Sequence, residues 1–352
     1  MDKVTITIDG KQVSVEKGAT VFQAAEAAGI SIPHLCYQKD FRPSSACRMC
    51  VVEVDGARTL VPSCSYPVSQ GMVVRTDTPR VTKARKMVLE LLLSDHPFAC
   101  MTCEKSGSCK LENYAYQYGV RSSRFDGEQH HYPIDISNPF IGRDYNKCIL
   151  CGRCVAACNE VQGWEAIDFI GRGFATRVGT AYDRGLRDSP CVFCGQCVQS
   201  CPVGALTEKK ALGMGRVWEM QKVRTTCPYC GVGCQMWLHI KDGKITKVTA
   251  VEDGAPNQGR LCVKGRFGYD FIYSDERLKT PLIREDGQFR EASWDEALDL
   301  VVAKFKEIIA EHGPDAIGGV SSSRSINEDS YQMQKLFRSV IGTNNIDNCA
   351  RT

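Results

Sequence analysis

Twenty cysteines occur in a chain of 352 residues, and nineteen of them fall in five tight clusters. They run Cys36/Cys47/Cys50/Cys64, Cys100/Cys103/Cys109, Cys148/Cys151/Cys154/Cys158, Cys191/Cys194/Cys197/Cys201 and Cys227/Cys230/Cys234/Cys262, leaving only Cys349 apart. His96, four residues before Cys100, completes the short set and makes five sets of four candidate ligands. Four protein ligands are what one iron–sulfur cluster needs. The chain reads as a series of five such centres.

Two rival readings of the cysteines exist. A disulfide scaffold suits secreted proteins, and no basic segment followed by an apolar stretch opens this chain. In a cytosolic protein thiols stay reduced, and dense cysteine means metal or redox chemistry. Zinc also takes paired C-x2-C knuckles, and for the less repetitive sets the residues alone leave it open. The two middle sets are different. Both run C-x2-C-x2-C-x3-C, and Pro202 follows the second where Asn159 follows the first. This is the bacterial ferredoxin pattern, in which the fourth cysteine ligates the other cluster. It predicts one 4Fe-4S centre on Cys148, Cys151, Cys154 and Cys201, and a second on Cys191, Cys194, Cys197 and Cys158.

Composition narrows the class further. A hydrophobic share of 43% is ordinary for a globular protein. No apolar run approaches the roughly 18 residues of a membrane span. A net charge of +3 without a basic stripe gives no sign of nucleic-acid binding. The expectation is a cytoplasmic protein with neither membrane nor nucleic-acid partners.

Local patterns place the clusters on a scaffold. Val4, Ile6 and Ile8, then Val13 and Val15, alternate around Asp9-Gly10, predicting a hairpin with a type I′ turn. Thr20 and Gln23 form a capping box ahead of Val21, Phe22, Ala25 and Ala28, and Gly29 ends that helix. A second hairpin is expected around Asp55-Gly56. Residues 79–95 read as a helix with Val81, Ala84, Met87, Val88, Leu91 and Leu92 on one stripe, delivering His96 to the second set. Residues 112–147 look like a polar connector, with His130 and His131 at its surface. Gly171, Gly173 and Gly179 mark turns without a nucleotide-binding pattern. Met236–Val251 alternates as a hairpin turning at Asp242-Gly243. Ser293 caps a helix that ends at Gly313-Pro314, Ile317–Val320 reads as a buried strand, and a second helix spans about Glu328 to Ile341.

On these residues the chain resembles known families along its whole length. The hairpin, helix and C-x10-C-x2-C-x13-C loop resemble the 2Fe-2S ferredoxin domain of the large iron–sulfur subunit of respiratory complex I and of iron-only hydrogenases. The H-x3-C-x2-C-x5-C segment resembles the domain of the same families in which one histidine and three cysteines hold a 4Fe-4S centre, implying His96 as a ligand. Cys227-Pro-Tyr-Cys230-Gly-Val-Gly-Cys234 with Cys262 resembles the N-terminal cluster domain of molybdenum or tungsten bis-pterin oxidoreductases, most closely formate dehydrogenases. There Lys264 matches a lysine lying between cluster and pterin, and Gly231 and Gly233 keep the loop compact.

The resulting fold expectation is multidomain α+β. A β-grasp 2Fe-2S ferredoxin covers 1–78, and a helical domain with one His and three Cys ligands covers 79–138. A double 4Fe-4S ferredoxin covers 139–215, a bis-pterin N-terminal cluster domain 220–280, and the start of an α/β domain 281–352.

The resemblance implies the electron-transfer part of a formate dehydrogenase, reversibly oxidising formate to carbon dioxide. Its cofactors would be one 2Fe-2S and four 4Fe-4S clusters, with a molybdenum or tungsten bis(molybdopterin guanine dinucleotide) in the full-length protein. The 2Fe-2S end implies a flavin-bearing, NAD(P)-reducing or ferredoxin- or hydrogenase-type partner subunit. By the same resemblance the molybdenum or tungsten ligand falls at position 353, a selenocysteine or cysteine, so Cys349 is not that ligand and no catalytic residue lies in this chain. A selenocysteine codon taken as a stop would account for the end at Thr352. Alternatives are a non-catalytic multi-cluster electron carrier, a complex I-type subunit and a hydrogenase-type subunit.

Overall fold

In a computed structural model, which describes residues 2–350, the chain forms two compact units, Met1–Gln221 and Lys222–Thr352. Arg351 and Thr352, which close the expected α/β domain, lie outside the described residues.

The first unit opens with β1 (Lys3–Ile8) and β2 (Lys11–Glu16), paired antiparallel with Ile8 opposite Lys11. Asp9 and Gly10 both take positive φ, 47° and 81°, as the expected I′ turn requires. Helix α1 (Val21–Ala27) starts on the Thr20/Gln23 capping box. The strands β3 (Val51–Val54), β4 (Val61–Pro62) and β5 (Val73–Arg75) complete a five-stranded sheet in the order β2-β1-β5-β3-β4. Only β1 and β5 are parallel neighbours in it. Ile6, Ile8, Val21, Phe22, Val52 and Val74 fill the core between sheet and helix. The hairpin expected at Asp55-Gly56 is looser than a two-residue turn. Strand β3 pairs with β4 only at Val51 and Val52, while Val54 pairs with β5.

Helix α2 (Pro79–Asp95) has the predicted limits, but its buried face overlaps the predicted stripe only at Val81 and is centred one residue further on. Val81, Arg85, Leu89 and Leu93 are buried, whereas Met87 and Leu91 are exposed. Arg85 belongs to the inner face because its guanidinium is satisfied there. It donates to the carbonyls of Met49 (3.2 Å) and Val51 (2.9 Å) and to the Tyr118 hydroxyl (3.1 Å). The stretch read as a connector begins inside a further helix, α3 (Lys110–Tyr118), which Gly119 ends at φ 68°.

A two-stranded antiparallel sheet, β6 (Ile141–Arg143) paired with the strand at Leu206–Glu208, frames the doubled cysteine motif. Between them come α4 (Arg153–Ala156), the hairpin β7 (Asp168–Ile170) and β8 (Arg177–Gly179), α5 (Gln196–Ser200), and finally β9 (Leu206–Glu208). Gly171 and Gly173 do turn the chain at positive φ. Gly179 instead lies in β8, where the Ile170 side chain leaves no room for a Cβ.

Apart from Gln221, the second unit contains β10 (Gln221–Thr226), with β11 (Gln235–Lys241) and β12 (Lys244–Ala250) in the same sheet and Asp242 and Gly243 forming the expected turn. Then follow α6 (Val263–Phe267), the hairpin β13 (Leu282–Glu285) and β14 (Gln288–Glu291), and α7 (Trp294–His312), capped by Ser293 as expected. Strand β15 (Gly319–Ser321), helix α8 (Asn327–Lys335) and β16 (Ile346–Asn348) close the unit, with β15 and β16 parallel. The strand read at Ile317–Val320 is displaced: Ile317 is buried ahead of it, and Val320 within it is 73% exposed. Among the described residues no helix is long and apolar enough to cross a membrane.

Candidate metal centres

All twenty cysteines are free thiols. Among the described residues no three His, Cys, Asp or Glu side chains converge as the ligands of one metal ion do; the sets line or crowd small hollows instead.

Cys36, Cys47, Cys50 and Cys64 are all buried, on the loops between α1 and β3 and after β4. Their thiols contact one another. Hydrogen bonds from Cys47 and Cys64 hold Cys36 below the ordinary thiol range, and the same bonds push Cys47 and Cys64 up. Cys50 is lowered to about 7, chiefly by Cys64. Four thiols packed this way cannot all ionise independently. The Cys36 backbone N–H donates to the Cys47 sulfur at 3.4 Å. Arg48, inside the C-x2-C step, takes a φ of 58°.

His96 leaves the end of α2 with φ −90° and ψ 130°. A hollow is lined by His96, Cys100, Cys103, Cys109, Lys147 and Gly204 together with neighbouring loop atoms. The His96 Nδ1 is buried without a hydrogen-bond partner, which fits a nitrogen kept for a ligand role. Burial lowers the His96 pKa, and nearby Lys147 lowers it further, which favours the neutral ring that ligation requires. Cys109 caps α3, accepting from the Glu112 N–H at 3.5 Å. A helix N-terminus favours the thiolate. Against this, burial raises the Cys109 pKa to about 11. Gly204 is dictated by close approach: a Cβ there would lie 2.6 Å from the Cys103 sulfur.

The doubled motif folds as a repeat. One hollow is lined by Cys148, Cys151, Cys154 and Cys201, and another by Cys158, Cys191 and Cys194; Cys197 borders both. Cys201 therefore lies with the first run and Cys158 with the second. Leu150 and Phe193 occupy equivalent positions at φ 49° and 56°, each directing its N–H to a cysteine sulfur at 3.4 Å. A left-handed conformation costs a non-glycine residue roughly 1–2 kcal/mol, a strain repeated at the same place in both cysteine runs. Burial raises Cys148 to about 11 and Cys151 to about 12, and pushes Cys154 well above the ordinary range. Loading metal here must release protons.

In the second unit Cys227, Cys230, Cys234 and Cys262 gather around the base of the β11–β12 hairpin. Burial, then the neighbouring thiols, raises Cys227 and Cys234. Gly233 turns at φ 66°, while Gly231 is approached by Asn327, whose amide donates to its carbonyl at 2.6 Å. Cys262 starts α6, and Lys264 stands exposed on its first turn. Cys349 lies apart from every set, exposed beside Ser322 and Ser323; hydrogen bonds from Ser322 and Ser323 lower its pKa to about 7.

Several contributing residues carry no cysteine signature. Arg85 pins the Cys47–Cys50 loop, as described above. Arg153 donates to Gln38 Oε1 and the Leu35 carbonyl, beside Cys36. Lys110 Nζ lies 3.0 Å from His34 Nε2, and the Lys110 N–H donates to the Pro202 carbonyl. The loop from His34 to Gln38 is thus reached from both the Cys109 and the Cys154 neighbourhoods. A charge within an i, i+4 apolar row, as at Arg85, is the one sequence signal that could have found any of them.

Five family models tile the chain. Residues 1–79 match a 2Fe-2S iron–sulfur cluster binding domain, and 85–124 the NADH-ubiquinone oxidoreductase-G iron–sulfur binding region. Residues 138–207 match the ferredoxin-like domain of NADH-quinone oxidoreductase subunit 3. Residues 220–274 match the molybdopterin oxidoreductase Fe4S4 domain, and 277–352 the molybdopterin oxidoreductase domain. The NADPH-Fe(3+) oxidoreductase subunit alpha of Geobacter sulfurreducens is 40% identical over 348 residues, 99% of this chain and 40% of that protein. A Staphylococcus aureus protein provisionally named a formate dehydrogenase is 35% identical over 389 aligned positions, 99% of this chain and 39% of that protein. The chain thus spans about 40% of the length of such relatives. A chain of an NAD+-reducing NiFe hydrogenase in the H2-reduced state aligns with a TM-score of 0.55 and 36% identity, covering 61% of this chain and 91% of that one.

Proposed function

We propose, from its NADH-quinone oxidoreductase G-like iron–sulfur regions joined to molybdopterin oxidoreductase domains, that the chain is the electron-transfer portion of a formate dehydrogenase. The observation that carries the multi-cluster reading is the exchange of Cys158 and Cys201 between the two hollows of the doubled motif. Two independent zinc knuckles have no use for such an exchange, whereas the two-cluster ferredoxin pattern is built on it.

In this reading Cys36, Cys47, Cys50 and Cys64 hold a 2Fe-2S cluster. His96 with Cys100, Cys103 and Cys109 holds a 4Fe-4S cluster, as do the two exchanged sets and Cys227, Cys230, Cys234 and Cys262. When bound, these groups supply one-electron carriers between a bis-pterin molybdenum or tungsten site in the full-length protein and a partner at the 2Fe-2S end. The chain's own residues fix and tune them. N–H groups of Leu150 and Phe193 donate to ligand sulfurs, Cys109 sits on a helix N-terminus, and His96 substitutes a neutral ring for a thiolate. The ring lowers the negative charge of the centre it would hold, and the N–H donors and helix N-terminus stabilise the charge that remains. Lys264, the second residue of α6, is proposed to bridge toward the pterin. A flavin-bearing, NAD(P)-reducing subunit is the proposed partner, in keeping with the nicotinamide-linked names of the relatives. A reducing compartment, the cytoplasm, suits twenty free thiols.

Formate as substrate is supported by the spacing of the Cys227–Cys262 set and by the name of the S. aureus relative. The higher identity to an NADPH-Fe(3+) oxidoreductase favours a second reading, in which the same relay serves NADPH oxidation without formate. Anaerobically purified full-length protein tests the choice. Formate-dependent reduction of a viologen dye is expected; reduction by NADPH alone, with none from formate, overturns the formate reading.

A further inference from the structure

His130 falls in the stretch read from sequence as a surface connector, yet its side chain is only 14% exposed. Both ring nitrogens are engaged. Nδ1 lies 2.6 Å from Asp95 Oδ2, and Nε2 lies 2.6 Å from the Phe174 carbonyl oxygen. The His130 backbone N–H donates to the other Asp95 oxygen at 2.8 Å. A carboxylate and a backbone carbonyl are acceptors only, so both nitrogens must donate, and a ring that donates twice is the imidazolium. The ring also stacks on Phe174 (3.9 Å between centroids) and Tyr132 (5.2 Å), whose faces favour a cation.

The partners are informative. Asp95 is the last residue of α2 and immediately precedes His96. Phe174 lies in the turn of the β7–β8 hairpin. The segment carrying His130 also runs along the same end of α2: Arg124 pairs with Glu90 at 3.0 Å, and the Gln129 side chain donates to the Ser94 carbonyl at 3.0 Å. No left-handed glycine closes this helix, so its last turn depends on these contacts.

We infer that His130 is a positioning residue for His96: its imidazolium clamps the last turn of α2 to the β7–β8 hairpin and so fixes the direction in which the His96 ring enters its hollow. This rests on the reading of His96 as a ligand. The charged groups facing the clamp are Asp95 from α2 and Glu128 from its own segment, with Arg177 from β8 beyond the Tyr132 ring. Burial alone would lower the His130 pKa, but the Asp95 carboxylate, the Phe174 carbonyl and Glu128 outweigh it, and the net shift is upward. With a raised folded-state pKa the clamp is complete below about pH 6.5, the ordinary histidine value, and is lost as pH rises through the raised value.

The experiment uses the full chain with its clusters, as wild type, H130A and H130Q, with H96A to identify the signal of the His96 centre. Hydrogen exchange of residues 90–97 and 170–176 is expected to quicken about tenfold in H130A at pH 6 and by less in H130Q, which retains one donor at a time. The wild type is expected to lose its protection on going to alkaline pH while H130A stays flat. The midpoint potential of the EPR signal that H96A removes is expected to move in H130A, the other signals holding still. Unchanged exchange in both variants overturns the clamp. Quickened exchange with an unmoved potential overturns the positioning role. If H96A removes no signal, the ligand reading fails, while the exchange data still decide the clamp.

Discussion

Arg153 Nε donates to Gln38 Oε1 at 3.1 Å, joining residues 115 apart in sequence. One stands between Cys151 and Cys154, the other two residues after Cys36, so a single buried side chain ties two cysteine loops from different motifs. Replacing it with methionine leaves the Gln38 amide and the Leu35 carbonyl without their charged donor. The R153M variant is expected to lose about 2 kcal/mol of stability, with both loops exchanging amide hydrogens faster. Unchanged exchange in residues 35–38 would count against the tie.

Exchange of the fourth ligands has a spectroscopic signature. C201S is expected to damage the same EPR signal as C148S, and C158S the same signal as C191S. The opposite pairing would mean that each run closes its own centre. Wild-type protein assembled anaerobically should carry about 18 irons per chain, from one two-iron and four four-iron centres; a zinc-rich, iron-poor product contradicts the assignment.

Replacing His96 with cysteine supplies a thiolate where a neutral imidazole stood. The H96C centre is expected to assemble with a lower potential, since the cluster becomes more negative. H96A should lose it. Redox-poised EPR distinguishes the two, and an unaltered potential in H96C would remove His96 from the ligand set.

Buried Arg85 holds two carbonyls of the Cys47–Cys50 region and a tyrosine hydroxyl. R85L keeps the apolar stem and orphans all three acceptors, at a cost of about 3 kcal/mol. Denaturant unfolding checks the magnitude. A loss below about 1 kcal/mol would show that water replaces the guanidinium readily.

His239, on β11, is buried and lowered to about 3, by burial first and then by Lys247 and Lys222; its Nε2 lies 2.9 Å from the Thr249 hydroxyl. Its folded-state pKa lies below the unfolded value, so its contribution is complete above about pH 6.5 and falls away as pH drops toward about 3. At pH 4.5 the neutral H239Q variant is expected to gain about 2 kcal/mol over wild type relative to pH 7. Hydrogen exchange in the β11–β12 hairpin at the two pH values measures this. An equal difference at both would show that His239 does not control acid loosening.

Much of this was legible along the chain because it is local. Turns at Asp9-Gly10 and Asp242-Gly243 and the Thr20 and Ser293 caps each depend on residues within one turn of one another, where backbone stereochemistry suffices. The inner face of α2 was misread because hydrophobicity ranks Arg85 outside, and only the fold brings the Met49 and Val51 carbonyls to meet it. His130 was assigned to the surface for the same reason: its partners, Asp95 and Phe174, lie 35 and 44 residues away in sequence. Spacing along a chain can nominate which atoms will bind, but which distant acceptors await a buried charge depends on how the elements pack, because a charge is stable inside only where the tertiary fold has already placed its partners.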